Sequence, residues 1–167
     1  MPSQNELHPF TFKDTGITVQ IRKVSPLLIM EVQKAMPVPK PPTQEVVYGD
    51  PNDPGAKRVE EPNEAHPDYL ESIDKYNGEL EAKVRKFMIE RGVVITLSDE
   101  QKNEVKELRE YWKEEFSAEL SGNDKYLYVS YIAIGTDADM EEVMDVIMRR
   151  SQPTEAAMAE AKDGFQG

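Results

Sequence analysis

No cysteine occurs anywhere in the 167 residues. That absence excludes disulfides, thiolate metal sites and a cysteine nucleophile, and it fits a reducing compartment. Histidine is nearly as scarce. His8 and His66 are the only two, and each precedes a proline. Neither has a second metal-ligating His or Cys at zinc spacing, so neither a metal nor a cofactor is expected. No apolar run approaches the roughly 18 residues that a membrane-spanning helix needs. Met1–Glu6 is polar and lacks a basic stretch followed by an apolar core, so no signal peptide is expected and the chain should stay in the compartment where it is made. The Gly-x-Ser-x-Gly elbow, the Gly-x-Gly-x-x-Gly turn and the phosphate loop ending in Gly-Lys-Ser/Thr are all missing. The expectation is a protein that binds rather than an enzyme.

What the chain has in quantity is acid. The formal charge is -12. Residues 1–40 hold five Lys/Arg against three Asp/Glu, so the excess negative charge lies beyond them. A surface of that sign repels phosphate backbones and anionic lipid, which argues against nucleic-acid and membrane partners. It favours solubility and can steer a basic partner.

Hydrophobic spacing predicts the elements. Residues 9–22 read as a β-hairpin, with Phe10 and Phe12 on one strand, Ile17, Val19 and Ile21 on the other, and Asp14-Thr15-Gly16 between them. Ser25-Pro26 opens a helix that is apolar on most sides, through Leu27, Leu28, Ile29, Met30, Val32 and Met36. Such a helix is buried, or is buried by a partner. Four prolines between Pro37 and Pro42 then impose an extended path. Residues 44–48 suit one short strand, and 49–66, rich in Pro, Gly and charge, read as a mobile loop. Pro67–Arg91 is the longest helix, striped by Tyr69, Ile73, Tyr76, Leu80, Val84 and Phe87. After an extended link, Ser98-Asp99-Glu100-Gln101 forms a capping box. The helix behind it carries Val105, Leu108, Trp112, Phe116 and Leu120 on one face and ends at Ser121-Gly122-Asn123. Further helices are expected over 124–134 and, capped by Thr136, over 137–150, with an Ala-rich one starting at Pro153. The predicted fold is mainly α with a small N-terminal β-hairpin (α+β), a bundle of four to five helices in a single domain, 1–167. Within it, 9–48 is the hairpin, short helix and Pro-rich segment, 49–66 the loop and 67–163 the helical bundle.

Several patterns have a functional and a plainer reading. Asp137-Ala138-Asp139-Met140-Glu141 looks like the start of a calcium loop, but Glu142 stands where Gly is needed and Met148 where a carboxylate is needed. Acids at a helix N-terminus explain the run better. Pro39-Lys40-Pro41-Pro42 fits the Pro-x-x-Pro pattern but reads more simply as a stiff spacer. Met140, Met144 and Met148 lie with Val143 and Ile147 on one helix face, and methionine faces adapt to varied partners. Core packing is the plainer reading of that face. The candidate partner-binding residues are therefore Leu27, Leu28 and Met30 on the short helix, and Met140, Met144 and Met148 on the late one.

The order of features over the first 97 residues carries a resemblance. A short hairpin from Phe12 to Ile21 leads into Arg22-Lys23-Val24-Ser25-Pro26-Leu27-Leu28. Then come Pro39-Lys40-Pro41-Pro42-Thr43 and a variable acidic loop. His66-Pro67-Asp68-Tyr69 and a long charged helix ending in Arg91-Gly92-Val93 complete the set. This resembles the tail assembly chaperones of long-tailed bacteriophages and prophages. The resemblance implies binding and solubilising the phage tape measure protein during tail assembly, in the bacterial host cytoplasm. The tail tube protein is a second partner that it leaves open. The alternative is a structural neck or minor tail component carried in the virion.

Overall fold

The computed structural model of this chain describes residues 6–151. The helix expected from Pro153 lies outside the described residues. The fold is mixed α+β. The chain divides into two compact units, Met1–Glu31 with Val84–Gly167, and Val32–Lys83.

In the first unit the predicted hairpin is present as β1 (His8–Thr11) and β2 (Thr18–Ile21), antiparallel, with Phe10 opposite Val19. Alternate residues of a strand point to one side, so Val19 and Ile21 turn inward together and both are buried. Gly16 takes a positive φ of 69° at the turn, where its N–H donates to the Phe12 carbonyl at 2.9 Å. The link after the long helix adds a third strand: β5 (Val93–Val94) pairs with β2, giving the order β1-β2-β5.

The helices are α1 (Pro26–Lys34), α2 (Pro67–Gly92), α3 (Asp99–Phe116), α4 (Asp124–Tyr128) and α5 (Asp137–Ser151). In this unit the core gathers Phe12 and Ile21 from the hairpin, Met88 and Ile89 from the end of α2, Leu127 from α4 and Ile147 from α5. Each such side chain contributes roughly 1.5–3 kcal/mol on leaving water. Gly92 lets α2 approach α5 closely, since a Cβ there would stand 2.8 Å from Ile147 Cδ1.

The α3 capping box forms as predicted. Ser98 N–H donates to Gln101 Oε1 at 2.8 Å, and Gln101 N–H donates to Ser98 Oγ at 3.2 Å. The helix stops earlier than expected, at Phe116. Ser117 adopts the left-handed conformation (φ 50°) and donates its N–H to the Lys113 carbonyl, closing the last turn. Residues 117–123 are then a loop. Arg109 holds it by donating to the carbonyls of Leu120 (3.0 Å) and Gly122 (2.8 Å) and to the Asp124 carboxylate (3.1 Å). The helix expected over 124–134 widens halfway. After α4, Val129–Ala133 form a π-helical turn, and the Ile134 N–H reaches the Val129 carbonyl at 2.9 Å.

In the second unit, residues 49–66 are not the loop their composition suggests. Lys57–Pro62 form β4, which pairs antiparallel with β3 (Thr43–Tyr48), Val46 opposite Val59. Proline and charge mask the strand, but Pro62 sits at its last position, where a missing donor costs little. Arg58 bonds Glu45 across the pair at 2.7 Å, and Tyr48 donates to Glu61. The turn is held by Asp50, which accepts from Asn52 N–H at 2.9 Å, and by Asp53, which accepts from Gly55 N–H at 2.8 Å.

Candidate protein-binding surface

α1 begins where the predicted Ser25-Pro26 start placed it. The Ser25 carbonyl accepts the Leu28 N–H at 3.0 Å, and Pro26 occupies the first helical position, where no donor is needed. None of its nine residues is buried. Ile29 alone of the first four apolar residues packs against the core. At about 100° per residue, Leu28 and Met30 then flank Ile29 on either side and Leu27 faces nearly away from it. Their exposures follow that order: 48% for Leu28, 48% for Met30 and 70% for Leu27. A short helix with few polar residues, packed on the core through Ile29, thus leaves Leu27, Leu28 and Met30 open at the surface.

The methionine face of α5 is built differently. Val143 and Ile147 are fully buried, and Met140 and Met144 are half-buried against the same core. Only Met148, one turn from the end, stands out at 43% exposure. Core packing therefore accounts for four of the five residues of that face, and Met148 alone is open to a partner. α5 ends beside the root of α1: the buried Ser151 Oγ accepts the Val24 N–H at 3.1 Å and donates to the Ile147 carbonyl at 2.7 Å.

Four polar side chains of this unit, Asp139, Thr136, Thr15 and Lys125, are committed to its own backbone. The buried Asp139 carboxylate accepts the N–H groups of Lys13 (3.0 Å) and Asp14 (3.3 Å), tying the hairpin turn to the start of α5. Its own N–H donates to Thr136 Oγ1 at 3.1 Å, the predicted cap. Thr15 Oγ1 donates to the Ala133 carbonyl at 2.6 Å, beside the π turn. The Lys125 ammonium donates to the carbonyls of Glu90 (2.7 Å) and Val93 (3.0 Å), closing the C-terminal end of α2. Burial pulls its pKa below the ordinary value, and repulsion from Arg22 adds to the shift. A shallow cavity of about 230 Å³ near the end of α3 is lined by Arg109, Glu110, Lys113, Glu119 and Leu120. Its one guanidinium is the Arg109 that already holds the 117–123 loop. Among the described residues, no group of three or more His, Asp or Glu is placed to hold a metal ion, and no helix is long and apolar enough to cross a membrane.

Sequence reasoning missed one exposed aromatic. Phe116, expected on the inward face of α3, is 57% exposed and stacks on Trp112 at a centroid distance of 4.4 Å. The signal lay in its position: it is the last helical residue, where the turn at Ser117 redirects the chain. Set beside family models, curated proteins and solved structures, the chain matches none.

Proposed function

We propose that this chain works by binding another protein through the open apolar surface of α1, as a tail assembly chaperone that keeps a phage tape measure protein soluble. The reading rests on one observation above the rest: Leu27, Leu28 and Met30 are 70%, 48% and 48% exposed on a molecule of net charge -12. Exposed contiguous apolar surface on a charged, soluble-type exterior is what a partner contact needs. A tape measure protein is a long helix, and a helix-to-helix contact anchored by Leu27, Leu28 and Met30, at i, i+1 and i+3, suits α1. Met148 extends the candidate surface, with Met140 and Met144 behind it. In this reading the remaining helices act as a bundle that supports α1, the protein has no catalytic step, and it operates in the bacterial host cytoplasm.

Co-expression with the tape measure protein encoded in the same genome tests it. The expected outcome is a soluble tape measure protein that co-purifies with this chain. Insoluble tape measure protein, with this chain recovered in purified particles, would replace the chaperone with a structural component of the virion.

A further inference from the structure

β3 and β4 form a two-stranded ribbon whose outer edges are unpaired among the described residues. None of its residues is fully buried. A ribbon of two strands alone is marginally stable in water, and further strands with an apolar face stabilise it. The two edges differ. The Asn63 N–H donates to the Pro42 carbonyl at 2.7 Å, one pair beyond Thr43 and Pro62. Bonded and non-bonded pairs alternate along an antiparallel ladder. Counted from that bond, Gln44, Val46 and Tyr48 turn their backbone groups to β4, while Thr43, Glu45 and Val47 turn theirs outward. On β4 the outward groups belong to Arg58, Glu60 and Pro62. Pro62 has no N–H, so the β4 edge lacks a donor. The β3 edge keeps every donor and acceptor.

The β3 edge is also complementary to itself. A two-fold pairing of β3 with its copy must centre on one residue. Centred on Glu45, it sets two carboxylates opposite each other, which is destabilising. Centred on Gln44 or Val47, it shortens the overlap. Centred on Val46, it aligns Gln44–Tyr48 with the same residues of the copy, opposes Glu45 to Val47, and sets no like charges against each other. Val59 already stands opposite Val46 within the hairpin, so this register draws a row of valines across four strands. Glu45 arrives compensated, since Arg58 of its own chain bonds it at 2.7 Å.

We propose that this chain pairs with a second copy of itself through the β3 edge, in antiparallel register about Val46, to form a four-stranded sheet. The surface is separate from α1 and its occupant is not the solubilised partner.

The absence of cysteine makes a direct test clean. In the proposed sheet Val46 faces its mate in a non-bonded pair, with Cα atoms about 4.5 Å apart, within disulfide reach. Val59 lies three strand spacings from its mate, about 14 Å. Full-length Val46→Cys and Val59→Cys chains are exposed to mild oxidant in about 0.15 M salt, which screens repulsion between the acidic chains. The expected result is an intermolecular disulfide that forms at least tenfold faster in Val46→Cys. Equal rates, or no linkage, would overturn the proposal. Sedimentation of the native chain and of Glu45→Pro gives a second reading. Proline at this outward position removes a donor to the copy and none to β4. The native chain should dimerise and the variant stay monomeric. A native chain monomeric up to about 1 mM, or a dimer that persists in Glu45→Pro, would overturn the β3 seam. Tape measure capture reads a different surface, so the two ideas fail separately.

Discussion

Asp139 and Lys125 show how single side chains bind this fold together. Each gives up water for backbone partners in another element, and removing either leaves those partners unsatisfied. Asp139→Ala orphans two N–H groups at the hairpin turn. It should lower the unfolding free energy by about 2–4 kcal/mol, read as a reduced urea midpoint with an unchanged slope. Lys125 carries a pH signature as well. Its folded pKa lies below the ordinary 10.5, chiefly through burial. Between those two values the unfolded chain binds more protons than the folded one, so stability rises as pH climbs through that window. Denaturation of the native chain and of Lys125→Met across alkaline pH should show the difference: the native chain gains on the variant as pH approaches 10.5. Gly92 is limited by space and not by torsion. Gly92→Ala drives a methyl group into the buried Ile147 and should cost about 1–3 kcal/mol.

At the scale of elements, α1 and α3 make a useful contrast. α3 is held by its own ends, through the Ser98–Gln101 box and the turn at Ser117. Ser98→Ala should lower stability by about 1 kcal/mol, measured by chemical denaturation. α1 is held in this unit by Ile29, while Leu28 and Met30 stand open. Leu28→Glu with Met30→Glu should therefore change stability by only about 0.5 kcal/mol, yet abolish recovery of the solubilised partner in the co-expression assay. A folded double variant that still solubilises the partner would move the contact off α1. Local signals made both helices legible: a capping box and a Ser-Pro start act within one turn of chain. β4 was illegible for the opposite reason. Its residues are polar and end in proline, and it becomes a strand only through its cross-strand register with β3. The π turn after α4 likewise follows from tertiary demand, since Thr15 and the buried Ala133 meet there from distant parts of the chain.

Across the whole molecule, the dominant quantity is the charge of -12. Self-repulsion of that size opposes compaction and is screened by salt. The thermal midpoint should accordingly rise between low and roughly 0.5 M sodium chloride, whereas a molecule limited by attractive ion pairs would show a fall. The amino-acid sequence by itself determined the hairpin, the long helix, the caps and the acidic exterior, because periodicity, turn chemistry and net charge are properties of neighbouring residues or of simple sums. It also marked α1 as too apolar to stand alone. Whether that helix is covered or open is another matter, since burial depends on what the rest of the chain brings within van der Waals reach. Only the tertiary structure decided it: packing spent Met140 and Met144 on the core, turned Phe116 outward, and left Leu27, Leu28 and Met30 at the surface.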